Sequence, residues 1–519
     1  MYMVMSLIAP RSATMEFQIT AYVFFTFFLF LFALFKVVMK RSKSNKFTTY
    51  LPPGPPKFPL IGNLHHFFVR STPHHTLRNL ALKYGPLMLL KLGEISYIIV
   101  SSPDVAKEIL KTHDSIFSNR PLMVISKLAY NATDIAFSPH GGYWSQLRKI
   151  CTIELLSAKR VQTFRSIREE EVSKLIETIC SSSEGSIVNL SEKIFSVTYG
   201  ITARAAFGMK SKHQKEFISI VEEAIQIAGG LCIADLYPSI RVLQKFSFMK
   251  AKLEKMRRKI DRILANIIDE HRNRKRSHNA ASHEDLVDVL LNFQQQKDLE
   301  YPLTDDNIKA VILDVFTAGS ETSSTVVEWA MSEMVKNPKV MKEAQAEVRR
   351  VYNLKGYVDE TDIHQLTYLK CVIKETFRLH PPTPLLLPRE SKVSCEINGY
   401  EIPAKTRVLI NAWAIGRDQR NWPEAECFRP ERFVHSSIDF KGQDFELIPF
   451  GSGRRICPGI LFAIADIELP LAQLIYHFDW KLPSSGIKHE EELDMTETYG
   501  LTARRGKDLC LIPVTHHHH

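Results

Sequence analysis

One of the eight cysteines, Cys457, stands in a sequence setting that could place a thiolate for chemistry. It lies between a glycine-rich, basic loop (residues 450–456) and an apolar run (residues 460–464) that predicts the start of a helix. Backbone N–H groups in the first turn of a helix favour a thiolate over a thiol. Gly453 permits the tight, positive-φ bend that such a loop needs. The sequence therefore predicts a loop that delivers one thiolate to the start of a helix.

Two neighbours of this cysteine suit a flat, anionic cofactor. Arg455 supplies a cation for an anionic group, and Gly459 lets a helix backbone approach a planar ligand closely. A dinucleotide-binding loop does not fit, because the third glycine position is Ile456 and no acidic residue stands where a ribose would need one. A lone buried cysteine is more often inert packing, so the interpretation of Cys457 depends on the pattern around it.

The spacing of five residues resembles the haem-binding loop of the cytochrome P-450 superfamily. They are Phe450, Gly453, Arg455, Cys457 and Gly459. The resemblance implies haem b (iron protoporphyrin IX) as the cofactor, with the cysteine as the axial ligand of the iron. It implies a monooxygenase that inserts one oxygen atom of O2 into its substrate, with the thiolate favouring O–O cleavage. Electrons would come from NADPH indirectly, through a reductase.

An acid and a threonine stand together in a long apolar helix that the sequence predicts from about Thr304. The acidic pair 305–306 would lie in its first turn, where the helix dipole favours negative charge. In its middle, Gly319 is followed by hydroxyl residues, whose side chains compete for backbone carbonyls and invite a local widening. The resemblance implies that this is an oxygen pocket, in which the catalytic residues Glu321 and Thr322 relay protons.

Glu375 and Arg378 form an i, i+3 pair on one face of a predicted helix. On a protein surface such a pair contributes little to stability. The resemblance implies instead a buried Glu-x-x-Arg pair, completed by Arg432, that locks the fold around the haem loop. These three residues are therefore predicted to be structural.

Four further positions match residues that contact the haem propionates in the superfamily. Trp144 and Arg148 are an i, i+4 pair, and Arg120 and Arg389 each stand beside a proline. Without the resemblance, a core tryptophan beside a surface arginine is the simpler interpretation. With Arg455, the resemblance implies up to four cations for two carboxylates.

The resemblance places five apolar segments over the haem. They are residues 122–129, 225–233, 308–318, 383–387 and 499–501. Leucine, isoleucine, valine and alanine dominate them, which favours an apolar ligand with few charged groups, although such residues equally suit a protein core. The predicted substrate contacts are Leu122, Ile312, Ala318, Leu385, Leu387 and Leu501.

The proline-rich hinge, the segment 381–385 and the haem loop are most similar to the plant A-type microsomal group, especially its terpene-oxidising members. This implies hydroxylation of an apolar plant specialised metabolite, and we expect a sesquiterpene or diterpene. Three alternatives stay open: hydroxylation of an alkaloid or flavonoid, rearrangement of a hydroperoxide without O2 or reductase, and a non-catalytic haem protein. The acid–threonine pair argues against the second, and the complete set of thiolate, proton-relay and propionate residues argues against the third.

Composition indicates one large globular domain. Hydrophobic residues make up 45% of the chain and charged residues 24%, and residues 57–515 contain no Gly/Ser-rich linker, low-complexity tract or repeat. The resemblance implies a cytochrome P-450 fold over this range, mainly α with smaller β-sheets (α+β). The cysteines form no CxxC pair, and so few in so long a chain do not indicate a disulfide framework.

The N-terminal region predicts a membrane anchor. Nearly every residue from 17 to 39 is apolar, and at about 1.5 Å each this run spans roughly 34 Å, enough to cross a hydrocarbon core of about 30 Å. Residues 15–39 are therefore predicted to be a transmembrane signal anchor, after an extension (1–14) and before a basic, proline-rich hinge (40–56). The basic residues after the anchor predict a cytosolic catalytic domain on the endoplasmic reticulum membrane. Residues 516–519 are interpreted as a tag remnant.

The formal net charge of +10 is dispersed, apart from the run 272–276 at the end of a predicted amphipathic helix. This pattern does not support a nucleic-acid partner. The resemblance implies a membrane-bound, acidic partner, NADPH–cytochrome P-450 reductase, with cytochrome b5 as a further candidate. Arg148, Lys149 and Arg454 are expected to steer the reductase toward the thiolate side. Membrane lipid, O2 and an apolar small molecule complete the predicted partners.

Overall fold

The computed structural model describes most of the chain after the predicted hinge. The described residues are 22, 25–29, 50–68, 71–128, 130–208, 214–228, 232–240, 248–276, 284–296, 298–483 and 493–516. The predicted extension, most of the predicted anchor, the first part of the hinge and the last three histidines lie outside them. Within them, the helix Ile460–His477 is long and apolar enough to cross a membrane, and 67% of it is buried inside the protein.

Helices dominate the described residues, so the predicted class, mainly α with smaller β-sheets, is confirmed. The α-helices are Pro73–Tyr84, Pro103–Lys107, Asp114–Phe117, Gly142–Ile150, Ala158–Thr163, Arg165–Cys180, Leu190–Phe207, Gln214–Ala228, Ile233–Leu236, Phe248–Arg276, Leu286–Gln295, Asp305–Lys336, Pro338–Tyr352, Thr367–Leu379, Ala412–Ile415 and Ile460–His477. Short 3-10 or π-helical turns are Leu64–Phe67, Glu108–Thr112, Val124–Lys127, Cys151–Leu155, Ile363–Gln365, Pro430–Phe433 and Gly453–Arg455.

Eleven short strands form four small sheets among the described residues. The strands are β1 Leu87–Leu92, β2 Ile95–Val100, β3 Val188–Asn189, β4 Arg389–Glu390, β5 Cys395–Ile397, β6 Tyr400–Ile402, β7 Arg407–Ile410, β8 Phe478–Lys481, β9 Glu497–Tyr499, β10 Ala503–Arg505 and β11 Cys510–Thr515. The largest sheet has the order β1-β2-β7-β4, with β2 and β7 parallel. The others are β3-β11-β8 and the pairs β5-β6 and β9-β10.

The central helix (Asp305–Lys336) carries the residues predicted to handle oxygen. It begins with a capping box, in which the Asn307 N–H donates to the Thr304 hydroxyl and the Thr304 N–H donates to the Asn307 side chain. The start predicted near Thr304 is therefore confirmed. The helix is 32 residues long and most of its side chains are buried. It packs against the helices Leu190–Phe207 and Ile460–His477, which places it beside the segment that follows Cys457.

Candidate active site

The thiolate loop (residues 450–457) is held in one bent conformation. Gly453 has a φ of 71°, and a Cβ atom there would lie 2.3 Å from the Leu110 carbonyl oxygen, so a larger residue does not fit. The Cys457 N–H donates to the Phe450 carbonyl at 3.0 Å and closes the loop. The Phe450 ring packs edge-on against Phe377, with 5.0 Å between the ring centroids. These contacts fix where the sulfur of Cys457 lies.

Cys457 lines a cavity of about 360 Å³. Burial raises the pKa of its thiol, whereas a hydrogen bond from the Gly459 N–H and the Arg148 guanidinium lower it. Because burial is the largest of these influences, the protein groups alone do not make this sulfur a thiolate. A metal cation at the sulfur would do so, since a coordinating thiol is deprotonated outright.

Four arginines line the same cavity: Arg120, Arg148, Arg389 and Arg455. Burial lowers the pKa of all four guanidinium groups. Neighbouring guanidinium groups lower the pKa of Arg120 further, and they contribute to a pKa of about 9 for Arg455. Asp114 offsets part of this repulsion through an ion pair with Arg389 at 3.0 Å. Like charges held this close in a buried place indicate a site for an anion.

Haem b fits both ends of this arrangement. Its iron suits the buried sulfur, and its two carboxylates suit the surplus of positive charge. The arginines are already oriented by backbone carbonyls: Arg120 donates to Leu387 at 2.7 Å, and Arg455 donates to Ser118 at 2.8 Å. The residues that would hold the haem are therefore Cys457 for the iron and the four arginines for the propionates.

Trp144 does not line the cavity. Its indole N–H donates to the Ile135 carbonyl at 3.0 Å, and its ring lies 4.0 Å from the Arg455 guanidinium carbon. The indole therefore supports Arg455 through a cation–π contact rather than facing the cavity. The direct contact of Trp144 with a propionate stays a prediction; in the structure the Ile135 carbonyl accepts the indole proton.

Arg455→Leu is expected to speed haem loss roughly 10- to 100-fold, since a hydrogen bond to a charged group is worth about 1.5–3 kcal/mol. The measurement is the rate of haem transfer from the holoprotein to an excess of a haem-scavenging apoprotein. Arg454→Leu is the matched control, because the Arg454 side chain is 52% exposed and pairs with Asp114. Equal rates for the two variants would show that the buried arginine does not hold the cofactor.

Thr322 and Glu321 both line the cavity from the central helix. The Thr322 hydroxyl donates to the Ala318 carbonyl, one turn earlier, at 2.6 Å. Ser320 and Thr325 make the same contact with the carbonyls of Phe316 and Glu321, at 2.8 Å each. The hydroxyl residues after Gly319 therefore do bond backbone carbonyls, as the sequence predicts.

The Glu321 carboxylate is buried and held by one oxygen. Its Oε1 accepts hydrogen bonds from the Thr502 hydroxyl and from Arg504 Nε, the latter at 2.8 Å. Burial raises the pKa of Glu321, and Arg504 and Thr502 oppose this rise. Thr502 and Arg504 were not predicted, because nothing near them in the sequence points to a residue on the central helix.

Glu375 and Arg378 are fully buried and form a two-bonded ion pair, with both N–O distances 2.7 Å. Arg432 Nε donates to the same carboxylate at 2.9 Å. Arg378 also donates to the carbonyls of Gly416 and Ala425 at 2.6 Å each. The three predicted structural residues thus meet, and Arg378 ties the helix Thr367–Leu379 to the segment that leads toward the thiolate loop.

Three of the six predicted substrate contacts line the cavity, and three do not. Ala318, Leu387 and Leu501 line the cavity, whereas the Leu122 side chain is 67% exposed and Ile312 and Leu385 are buried away from it. Leu122 precedes the turn that faces the cavity, and Ile312 occupies another face of the central helix. Each of the five predicted segments still contributes a lining residue: Ile125 and Leu128, Ile225, Leu313, Leu387 and Leu501.

A buried acid in the cavity wall was also missed. Asp314 lines the cavity, and its Oδ2 accepts the backbone N–H groups of Ile135 and Ala136 at 2.9 and 3.1 Å. Burial raises the pKa of Asp314. Asp314 thereby holds the loop that contains Ile135 against the central helix. The Ile135 carbonyl in this loop accepts hydrogen bonds from Trp144 and Arg455. No sequence pattern marks Asp314, because two of its partners are backbone N–H groups and its side-chain partner, Asp134, lies far away in the sequence.

Comparisons with known proteins agree with this site. The family described as "Cytochrome P450" matches residues 52–506. The chain is 61% identical to "Cytochrome P450 71D10" of Glycine max, over 95% of this chain and 96% of that protein. It is 54% identical to "Tabersonine 16-hydroxylase 2" of Catharanthus roseus, over 94% and 96%. It is 50% identical to "Premnaspirodiene oxygenase" of Hyoscyamus muticus, over 92% and 95%.

A solved structure shares the fold. A zebra fish cytochrome P450 solved with abiraterone has a TM-score of 0.72 and 24% identity, over 86% of this chain and 99% of that chain. The family match covers the thiolate loop, the central helix and the Glu375–Arg378 pair. The chain therefore belongs to the cytochrome P450 family, with haem b as its cofactor and monooxygenation as its chemistry, and the relatives named above are plant proteins.

Proposed function

We propose that this protein hydroxylates a neutral, apolar plant metabolite with a sesquiterpene or diterpene skeleton. The observation that carries the proposal is the lining of the cavity beside Cys457. Apart from the cofactor-binding groups described above, this lining is mostly hydrocarbon, and it includes Ile125, Leu128, Val221, Ile225, Leu313 and Phe462. A site of this kind binds a ligand by apolar burial and offers few groups to a charged one.

The acids of the cavity support a neutral substrate. Asp314 and Glu321 are the two acidic residues in the described lining. Asp314 is engaged by two backbone N–H groups, and Glu321 is paired with Arg504. Each carboxylate is therefore already held by a partner, and Arg504 compensates the charge of Glu321, so a protonated amine gains less from either acid. This argues for a terpene over a cationic alkaloid.

Each protein group has a defined part in the reaction. Bound haem supplies O2 activation and the oxidising power that breaks a C–H bond. Cys457 would hold the haem iron through its sulfur, and the four arginines would orient the cofactor through its carboxylates. Thr322 and Glu321 hold protons at the cavity wall and deliver them for water formation. The apolar wall excludes water from the substrate side and sets which carbon lies nearest the reaction centre.

Similarity alone does not choose the substrate. Relatives named for tabersonine and for premnaspirodiene are 54% and 50% identical to this chain. Hydroxylation of an alkaloid is therefore the second candidate, supported by the tabersonine relative, with flavonoid hydroxylation behind it. The difference must come from lining residues, since these control which skeleton fits.

The test is turnover of two probes, premnaspirodiene and tabersonine, by microsomes that contain this chain and a plant NADPH–cytochrome P-450 reductase. We expect an NADPH-dependent product that is heavier by one oxygen atom from premnaspirodiene, and little product from tabersonine. Mass spectrometry with labelled O2 identifies the oxygen source. Product from tabersonine alone would favour the alkaloid alternative, and product without NADPH would contradict monooxygenation by this route.

We propose further that residues 15–39 anchor the protein in the endoplasmic reticulum membrane with the catalytic domain in the cytosol. Release of the full chain from microsomes by alkaline carbonate would contradict the anchor.

The partner that we propose for electron supply is an acidic reductase. Lys149 and Arg454 are exposed and suit an acidic surface, whereas Arg148 lines the cavity and donates to the Ile456 carbonyl. The first electron transfer should therefore slow as ionic strength rises.

A further inference from the structure

We propose that Thr502 and Arg504 are positioning residues for proton delivery, and that they couple the substrate surface at Leu501 to Glu321. They form a clamp, defined here as these two residues: Thr502 lies in the turn between β9 and β10, and Arg504 lies on β10. The inference rests on the proposed function, because it concerns Glu321 as the proton donor. It adds a route by which substrate contact can reach that donor.

The clamp holds only one side of the carboxylate. Glu321 Oε1 takes both the Thr502 hydroxyl and Arg504 Nε. Glu321 Oε2 is buried and accepts no hydrogen bond from the described residues. A carboxyl group held in this way has one oxygen fixed as an acceptor and the other available to carry a proton. The arrangement therefore orients the acid instead of merely neutralising it.

Three charged or titratable groups face Glu321 from the elements packed around it. Arg504 lies on β10, Glu222 on the helix Gln214–Ala228, and Tyr199 on the helix Leu190–Phe207. Arg504 lowers the pKa of Glu321, while Glu222 and burial raise it. Tyr199 is held neutral because burial and the nearby acids raise the pKa of its phenol. Arg504 is therefore the cation that keeps Glu321 able to lose its proton.

The clamp is continuous with the substrate surface. Leu501 and Thr502 are adjacent, and both line the cavity. On one side the Leu501 N–H donates to the Ile225 carbonyl at 3.4 Å. On the other side the Ala503 N–H donates to the Pro382 carbonyl at 2.8 Å. A ligand that presses on Leu501 therefore moves a short, doubly anchored segment, and the Thr502 hydroxyl transmits the movement to Glu321.

The clamp also lies between the buried acid and the surface. The Arg504 side chain is 24% exposed, whereas that of Glu321 is 3% exposed. The Arg504 guanidinium carbon lies 4.3 Å from the centroid of the Phe195 ring, which keeps the side chain extended along this path. Protons that reload Glu321 from solvent would pass beside these groups. Loss of Arg504 should thus affect both the titration and the reloading of the acid.

The first test is the titration of Glu321 in the full-chain holoenzyme without substrate. The protonated carboxyl band is followed by infrared difference spectroscopy against pH, and Glu321→Gln assigns the band. Arg504→Gln should move the titration midpoint upward by about 1 to 3 pH units, because a cation within reach favours the carboxylate. Arg504→Lys keeps a cation, so its titration midpoint should lie between those of the wild type and Arg504→Gln. Lys507→Gln is the control, since Lys507 is a 75% exposed cation near the same hairpin.

The second test separates the clamp from the relay. Thr502→Val keeps the shape of the side chain but removes its hydroxyl, and Thr502→Ser keeps the hydroxyl. With reductase and NADPH, Thr502→Val and Arg504→Gln should release several-fold more hydrogen peroxide per NADPH and show a larger solvent isotope effect, while Thr502→Ser should resemble the wild type. One outcome is that Thr322→Ala and Glu321→Gln raise peroxide release while Thr502→Val and Arg504→Gln change neither peroxide release nor the titration midpoint of Glu321. That result would contradict the proposed role of the clamp and leave the proton relay supported. If none of the four raises peroxide release, the proposed proton relay fails as well.

Discussion

Cys457→Ser is expected to abolish turnover and to remove the red-shifted Soret band from the carbon monoxide difference spectrum of the reduced protein. Cys457 is the sole cysteine among the described residues that line the cavity. The substitution replaces sulfur with oxygen at nearly constant volume, so the apolar packing of the loop should persist. Any change therefore reports the loss of the sulfur that would hold the iron, because the strong electron donation comes from the thiolate.

The comparison with other cysteines makes this test specific. Cys180→Ser is the control, since Cys180 is exposed and lies at the end of the helix Arg165–Cys180. It should leave the spectrum and the turnover unchanged. Cys151 is buried but does not line the cavity, so it offers no substitute thiolate. Normal turnover by Cys457→Ser, with a normal spectrum, would contradict the assignment of the iron ligand.

The thiolate loop was predictable because its chemistry is local. Eight consecutive residues, 450–457, contain the bend, the cation and the thiol, and the Cys457 N–H closes the loop by donating to the Phe450 carbonyl. The cap of the central helix is equally local, since Thr304 and Asn307 are three residues apart. Patterns of this length leave a trace in the sequence because hydrogen-bond geometry fixes the spacing of their partners.

Long-range contacts left no such trace. The partners of Glu321 lie 181 and 183 residues further along the chain, in the hairpin of β9 and β10. Asp314 meets backbone N–H groups some 180 residues earlier, and any residue type could supply these. The side-chain direction of Leu122 also depended on a turn that the apolar pattern does not define. The segments of the cavity wall were therefore predictable, but half of the individual contacts were not.

Glu375→Gln is expected to prevent accumulation of haem-loaded protein, for a reason that lies far from the cavity. Both partners of the Glu375–Arg378 pair are fully buried. Removing the negative charge leaves the Arg378 guanidinium buried without a counter-charge, which costs about 3–5 kcal/mol. The net stability of a folded domain is only about 5–15 kcal/mol. One substitution thus removes a large share of the margin.

The expected measurements are the urea midpoint and the haem content of the purified variant. Glu431→Gln is the matched control, because Glu431 is exposed and makes one hydrogen bond, from the Tyr368 hydroxyl at 2.7 Å. It should change stability by no more than about 0.5 kcal/mol. If Glu375→Gln yields no folded protein, Glu375→Asp keeps the charge one methylene shorter and should recover part of the stability. Failure of the aspartate variant to do better than the glutamine variant would contradict the electrostatic explanation.

The same carboxylate explains why this loss should reach the haem site. Glu375 also accepts the Arg432 side chain and the Arg429 N–H, at 2.9 and 2.8 Å. These contacts fix the segment that runs from residue 429 toward the thiolate loop, while Phe377, two residues along the same helix, packs on Phe450. If the carboxylate is lost, both supports of the loop loosen together. Haem content should therefore fall before helix content in a urea titration of Glu375→Gln. In the wild type both should fall together, because the intact ion pair couples the haem site to the helices.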